Sequence, residues 1–371
     1  MLVYMEAPSV KARLDKLRSA MDKKNLDALF VSNTANVSYM SNYTNSDSFL
    51  FIGGSSRGVS NIFITDSRYF EQASSECPDY EIVLHRNGNP ALEEHVARLC
   101  EKHGIGRLAF EGEHTSYARY QKIRSALPSG VEFSPSEKLI ENLRMIKNEY
   151  ELSCLRTACE KTDRVFECLC RFIRPGVTER DIEWKLLSGV RAQGCDPGAH
   201  PIVVSGVRGS LPHGVAEDKQ VKSGEFVTMD FGCMYRGYHA DMTRTVFVGR
   251  PDEEQNKIYE TVLQANLRAQ ARVKNGAVSR EVDAAARDYI VKMGYGEYFG
   301  HGLGHGVGLD IHELPFMNPS SEEVLLTGCV ITVEPGIYLP GWGGVRIEDT
   351  VIVTDNGCEP LFSSPKKLIC L

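Results

Sequence analysis

The stretch MDFGCMYRGYHADMTRT, residues 229–245, sets two aspartates, Asp230 and Asp241, in runs of strand character on either side of Met234-Tyr235-Arg236-Gly237. Those four residues read as a hairpin loop in which Gly237 supplies the unusual dihedral. Pairing Cys233 with Tyr238 then puts Asp230 directly opposite Asp241 on one face, with Cβ atoms about 4.5–5.5 Å apart. Two carboxylates so placed repel by roughly 3 kcal/mol at an effective dielectric of about 20. A cation between them or a shared proton removes that cost. The blander reading, one aspartate turned to solvent or capping a turn, has to be weighed against the rest of the chain.

At 371 residues the chain is long for one core, and two domains are expected. Apolar residues at 42% and charged residues at 25% describe an ordinary globular protein. A net charge of −7 argues against a general nucleic-acid partner. Eleven cysteines, with no CxxC pair, suit a reduced, cytoplasmic chain. The N-terminal MLVYMEAPSVKARLDKL lacks a signal-peptide pattern, and no window is apolar enough for a membrane span.

The first 137 residues alternate elements. Helices are expected at 10–24, just after 66–69, at 90–103 and at 116–127. Strands are expected at Ala28–Val31, Ile62–Thr65, 80–84, Arg107–Glu111 and 131–133, with a polar loop at 33–36. That is an α/β domain. Residues 138–371 form the second, α+β, domain. It opens with a helix capped by Asn148 with Glu151, and a second capped by Thr178 with Asp181. A third starts at Pro251 and a fourth is capped by Ser279. Short hairpins follow, including strands at 330–334, 344–348 and 351–354, and imply an antiparallel sheet.

Three further clusters bear on chemistry. HGLGHGVG, residues 301–308, alternates glycine with larger residues, so His301 and His305 face one way in an extended chain. His312-Glu313 begins an HExxH-like pattern, but Phe316 occupies the place of the second histidine. Glu334 and Glu348 flank Pro340-Gly341-Trp342-Gly343, a turn that sets them opposite each other. If Asp230, Asp241, Glu334 and Glu348 meet His305, four negative charges and one imidazole nitrogen balance two divalent cations. Such oxygen-rich donors suit Mn(II), Co(II), Fe(II) or Zn(II), and a metal pair activates water and polarises a carbonyl.

MDFG…HADMTRT, HGLGHGVGLDIHE, TVEPGIY and GGVRIEDT resemble the M24 metallopeptidases: methionine aminopeptidase, aminopeptidase P and prolidase, whose catalytic domain is the pita-bread fold. The likeness is strong over 143–371. NVSYMSNYT (36–44) and TDSRYFEQA (65–73) resemble the creatinase-type N-terminal domain, an α/β, ribonuclease H-like fold of the proline-directed branch. The resemblance implies that Asp230, Asp241, His305, Glu334 and Glu348 ligate two divalent metals, Mn(II) foremost. It also implies that His213, His301, His312 and Arg346 contact substrate. His213 or His312 is expected to polarise the scissile carbonyl, and Glu334 to pass a proton to the leaving prolyl nitrogen. The implied activity is that of an Xaa-Pro aminopeptidase acting on proline-containing peptides, in a homodimer without nucleic-acid or membrane partners. Alternatives are an Xaa-Pro dipeptidase, a creatinase-like C–N hydrolase, or a binding protein that has lost catalysis.

Two departures bear on the choice. Gly198-Ala199-His200 stands where relatives carry an apolar aromatic. Leu314-Pro315-Phe316 lacks an arginine that some dipeptidases use for the substrate carboxylate. That absence favours the aminopeptidase, unless Arg57, Arg68 or a partner subunit supplies a replacement.

Overall fold

The computed structural model describes residues 9–55 and 58–371, so residues 1–8 of the N-terminal stretch and Arg57 lie outside the described residues. The chain divides into two compact units, Met1–Arg144 and Met145–Leu371.

The first unit is built on a six-stranded sheet. Its order is Glu81–Leu84, Ile62–Thr65, Phe49–Gly53, Ala28–Val31, Arg107–Glu111, Glu132–Ser136. Phe49–Gly53 runs antiparallel to both neighbours, and the outer pairs are parallel. This strand was not expected from the sequence. All five of its residues are buried, the unbroken apolar run of a strand covered on both faces. The expected loop at 33–36 is instead the start of a helix, Thr34–Ser41. Asn33 caps it by accepting from the Asn36 N–H, and Asn42 closes it at φ 62°. A short helix, Glu141–Arg144, belongs to this unit because Asn36 bonds both Glu141 and Arg144.

The second unit carries four long helices. Capping boxes start Glu149–Phe172 (Asn148, Glu151), Glu179–Ala192 (Thr178, Asp181) and Glu253–Gln270 (Asp252, Gln255). The fourth, Ser279–Lys292, has Val278 at its N-cap, so Ser279 is its first helical residue and not its cap. The strands pair antiparallel throughout. One sheet joins Ile202–Ser205, Glu225–Phe231 and Met242–Val248; another centres on Val330–Val333 and Asp349–Val353. A buried cluster including Phe247, Val262, Ile331, Ile337 and Val351 packs the helices Glu253–Gln270 and Ser279–Lys292 onto these sheets. Strand ends beside the core therefore become fixed points from which side chains can be aimed. Among the described residues no helix is long and apolar enough to cross a membrane.

The hairpin register differs from the expected one. Tyr235 pairs with Tyr238 and Met234 with His239, leaving a two-residue turn, Arg236-Gly237, with φ 51° and 82°. Both positive dihedrals belong to the primed turns that match strand twist. Asp230 consequently faces Thr243, and Asp241 sits diagonally from it on the same face, not directly opposite.

Candidate metal centre

Asp230 is the penultimate residue of the strand Glu225–Phe231, and Asp241 immediately precedes Met242–Val248. Glu334 follows Val330–Val333, and Glu348 lies between Gly343–Arg346 and Asp349–Val353. Val333 pairs with Asp349 and Gly336 with Arg346, one continuous register that leaves Glu334 and Glu348 facing across the gap. His305 is in Gly304–Gly306, whose backbone pairs with Glu313–Met317 and Val330–Val333. A Cβ at Gly304 would come within 2.2 Å of the Thr332 carbonyl oxygen. The alternating glycines thus let this strand lie close against its neighbours.

These five side chains meet on one cavity of about 300 Å³, which is also lined by His213, His301, His312 and Arg346. Ligating atoms of Asp241, His305 and Glu348 all lie within 4.8 Å of one another. The His305 Nδ1 donates to the Gly306 carbonyl at 3.0 Å. Its Nε2 therefore points at Glu334 (3.3 Å) and Asp241 (3.7 Å). Thr243 donates to Glu348 at 2.7 Å. Arg346 donates to Asp230 at 2.7 Å, to Thr243 at 2.9 Å and to the Tyr338 hydroxyl at 2.9 Å. Tyr338 in turn meets His301 Nε2 at 2.9 Å.

The electrostatics of this cluster are those of a site short of positive charge. Burial, then Asp230 and Glu334, pushes the Asp241 carboxyl well above its ordinary range. Burial, then Asp241 and Glu334, does the same to Glu348. Burial also opposes ionisation of Glu334, but the hydrogen bond and charge of His305 outweigh it and hold that carboxyl low. Burial and the neighbouring His305 lower His312, whose ring lies 4.3 Å from that of His305. Among the described residues lining the cavity, Arg346 is the one arginine or lysine. One guanidinium does not balance four carboxylates, and hard oxygen donors with one imidazole nitrogen fit divalent cations.

Other candidates fall elsewhere. Glu313 sits on a strand, not a helix, and forms a buried ion pair with Lys147 at 2.7 Å. His200 is largely exposed near Glu183. Arg68 is held by Asp66 within the first unit. Sequence reading passed over Tyr338 and Thr243. Tyr338 shares the two-residue period of Glu334, and Thr243 follows Asp241 at the same spacing, so strand periodicity was the available signal.

The Metallopeptidase family M24 model matches residues 153–355, and the Creatinase/Prolidase N-terminal domain model matches 13–146. The chain belongs to the M24 metallopeptidase family. It is similar to an Xaa-Pro dipeptidase from Bacillus anthracis, at 43% identity and TM-score 0.93, over 98% of this chain and 100% of that one. An Xaa-Pro dipeptidase from Pyrococcus furiosus is 37% identical over 97% of this chain and all of its own length. The structure of an X-Pro aminopeptidase from Thermotoga maritima is 34% identical with TM-score 0.88, covering 96% of this chain and 99% of that one. Family membership makes this chain a metallopeptidase with a pita-bread catalytic domain behind a creatinase-type N-terminal domain, and it implies divalent metal ions.

Proposed function

We propose that the chain hydrolyses Xaa-Pro dipeptides, with Asp230, Asp241, His305, Glu334 and Glu348 holding two divalent ions, Mn(II) foremost. The reading rests on the convergence of four carboxylates and the His305 Nε2 on one histidine-lined cavity. Near full-length likeness to Xaa-Pro dipeptidases favours the dipeptide over longer substrates. When bound, the metal pair supplies Lewis acidity for the scissile carbonyl and lowers the pKa of water.

The protein groups divide the remaining work. His312, kept neutral by burial and by His305, donates a hydrogen bond to the scissile carbonyl oxygen. Glu334 takes a proton and returns it to the prolyl nitrogen, which cannot leave as an anion. His213, exposed on the loop at the cavity edge, donates to the proline carboxylate in place of the missing arginine. Arg346 positions both sides, binding Asp230 and the Pro212 carbonyl beside His213.

A second reading, an Xaa-Pro aminopeptidase, is favoured by Leu314-Pro315-Phe316, where Phe316 presents a 39%-exposed ring to the cavity instead of a cation. Cleavage of matched Xaa-Pro and Xaa-Pro-Yaa peptides after Mn(II) or Co(II) reconstitution separates the two. The dipeptides are expected to have the higher kcat/KM by tenfold or more, equivalent to about 1.4 kcal/mol. Faster tripeptides would install the aminopeptidase reading.

A further inference from the structure

The first unit contains a second cavity, of about 370 Å³, lying between the starts of two helices, Leu92–His103 and Tyr117–Ala126. Arg86, Arg119 and Lys122 line it, against a single carboxylate, Glu93. Among the described residues none of these three cations forms an ion pair, with Glu93 or otherwise. Arg119 lies over the Phe49 ring at 4.7 Å, and burial together with Arg86 holds its guanidinium below its ordinary pKa. His85, 3% exposed, also lines the cavity, and its ring makes no hydrogen bond among the described residues. The helix Leu92–His103 begins at Ala91 with no side-chain cap, so its first-turn N–H groups lack a side-chain acceptor beside the cavity.

Three cations without an ion pair, a helix N-terminus without a side-chain cap and a buried imidazole without a hydrogen bond all favour the same complement, an oxyanion. The volume exceeds that of a phosphate several-fold and falls in the range of small-molecule sites. Its apolar lining comes from Phe49, Leu92 and Ile123, of which Phe49 and Ile123 are buried. We propose that this cavity binds a phosphate monoester, its phosphate among Arg86, Arg119 and Lys122 and its aromatic or apolar body against the half-buried Leu92. Such a site is separate from the peptidase centre, whose residues all lie in the second unit.

Calorimetric titration of the metal-loaded full chain with adenosine 5′-monophosphate, inorganic phosphate and adenosine tests the assignment. The mononucleotide is expected to bind saturably and more tightly than either fragment. Arg119→Ala and the more exposed Lys122→Glu are each expected to weaken it at least tenfold, with thermal unfolding of the free protein reporting that both variants fold. Binding of the mononucleotide that is unchanged in both variants would place it elsewhere, on the metal pair for instance, and overturn the proposal. So would adenosine binding as tightly as its phosphate, or no saturable binding at all.

Discussion

Asp241 and Glu348 are the residues where burial and charge conflict most sharply. Both carboxyls are pushed up by burial and by neighbouring carboxylates. The folded metal-free protein therefore keeps protons that the unfolded chain has already released. Above the ordinary carboxylate pKa of about 4, its stability falls as pH rises towards the raised values. Thermal unfolding of chelator-treated protein between pH 4.5 and 8 should show Tm decreasing with pH, and metal loading should abolish most of that slope. Asp241→Asn removes one of the charges. It should raise the metal-free Tm, by about 2–4 °C per kcal/mol of repulsion relieved, while metal analysis finds at most one tightly held ion and turnover is lost. Two ions with normal activity would remove Asp241 from the donor set. The histidines should behave differently, because they are assigned to substrate. His312→Ala should keep both ions and lose about 10²–10⁴-fold in kcat. His213→Ala should chiefly raise KM, and more for Xaa-Pro than for Xaa-Pro-Yaa, since only the dipeptide offers a carboxylate there. Ion loss from either variant, measured by metal analysis, would mean that the imidazole is a ligand.

At the scale of elements, the hairpin decides the geometry, and its tightest point is Gly232. A Cβ there would lie 1.6 Å from the Ala240 carbonyl oxygen, which is backbone and cannot swing away. Gly232→Ala should destabilise the protein by about 2–4 kcal/mol despite the conformational entropy that alanine removes from the unfolded chain. A lowered Tm with reduced metal retention would check it, and a wild-type Tm would show that the two strands can part without cost. The same hairpin shows how far the sequence could be read. The pairing of carboxylates on one face was legible because strand side chains alternate with period two. Register was not, since a two-residue and a four-residue loop fit the same Met234-Tyr235-Arg236-Gly237 stretch. Only the backbone reveals that Arg236 accepts a left-handed φ and tightens the turn. For Glu334 and Glu348 the expected opposition matches the observed register, because Gly341 and Gly343 both take positive φ there and leave one economical turn.

At the scale of the molecule, local signals were reliable where they were chemically redundant. Helices with a capping box on top of an apolar stripe were legible, as at Asn148 and Thr178. Thr34–Ser41 was missed because its cap, Asn33, opens a polar stretch without a clear stripe, and Phe49–Gly53 because a strand buried on both faces does not alternate. Long-range ion pairs gave no sequence signal at all, and one of them defines where the catalytic unit must begin. Although the family match starts at residue 153, the stretch before it is integral to the second unit. The Lys147 N–H donates to the Gly328 carbonyl, Ile146 bridges Cys329, and the Lys147 ammonium is buried against Glu313, 2.7 Å away. Glu313 opens its strand and follows His312 directly, so this pair also anchors the segment that carries a proposed catalytic residue. Removing the cation while leaving the buried carboxylate costs about 3 kcal/mol or more. A fragment of residues 145–371 is therefore expected to unfold cooperatively and to bind metal as the full chain does. Starting the fragment at 148, or making Lys147→Ala in the full chain, should lower stability by about that amount. Lys147→Met, which keeps the volume but not the charge, should rescue little unless Glu313 is also made Gln. Urea unfolding of these proteins beside the wild type decides the matter: if Lys147→Ala unfolds at the wild-type midpoint, the ion pair is not what ties residues 145–152 to the catalytic unit.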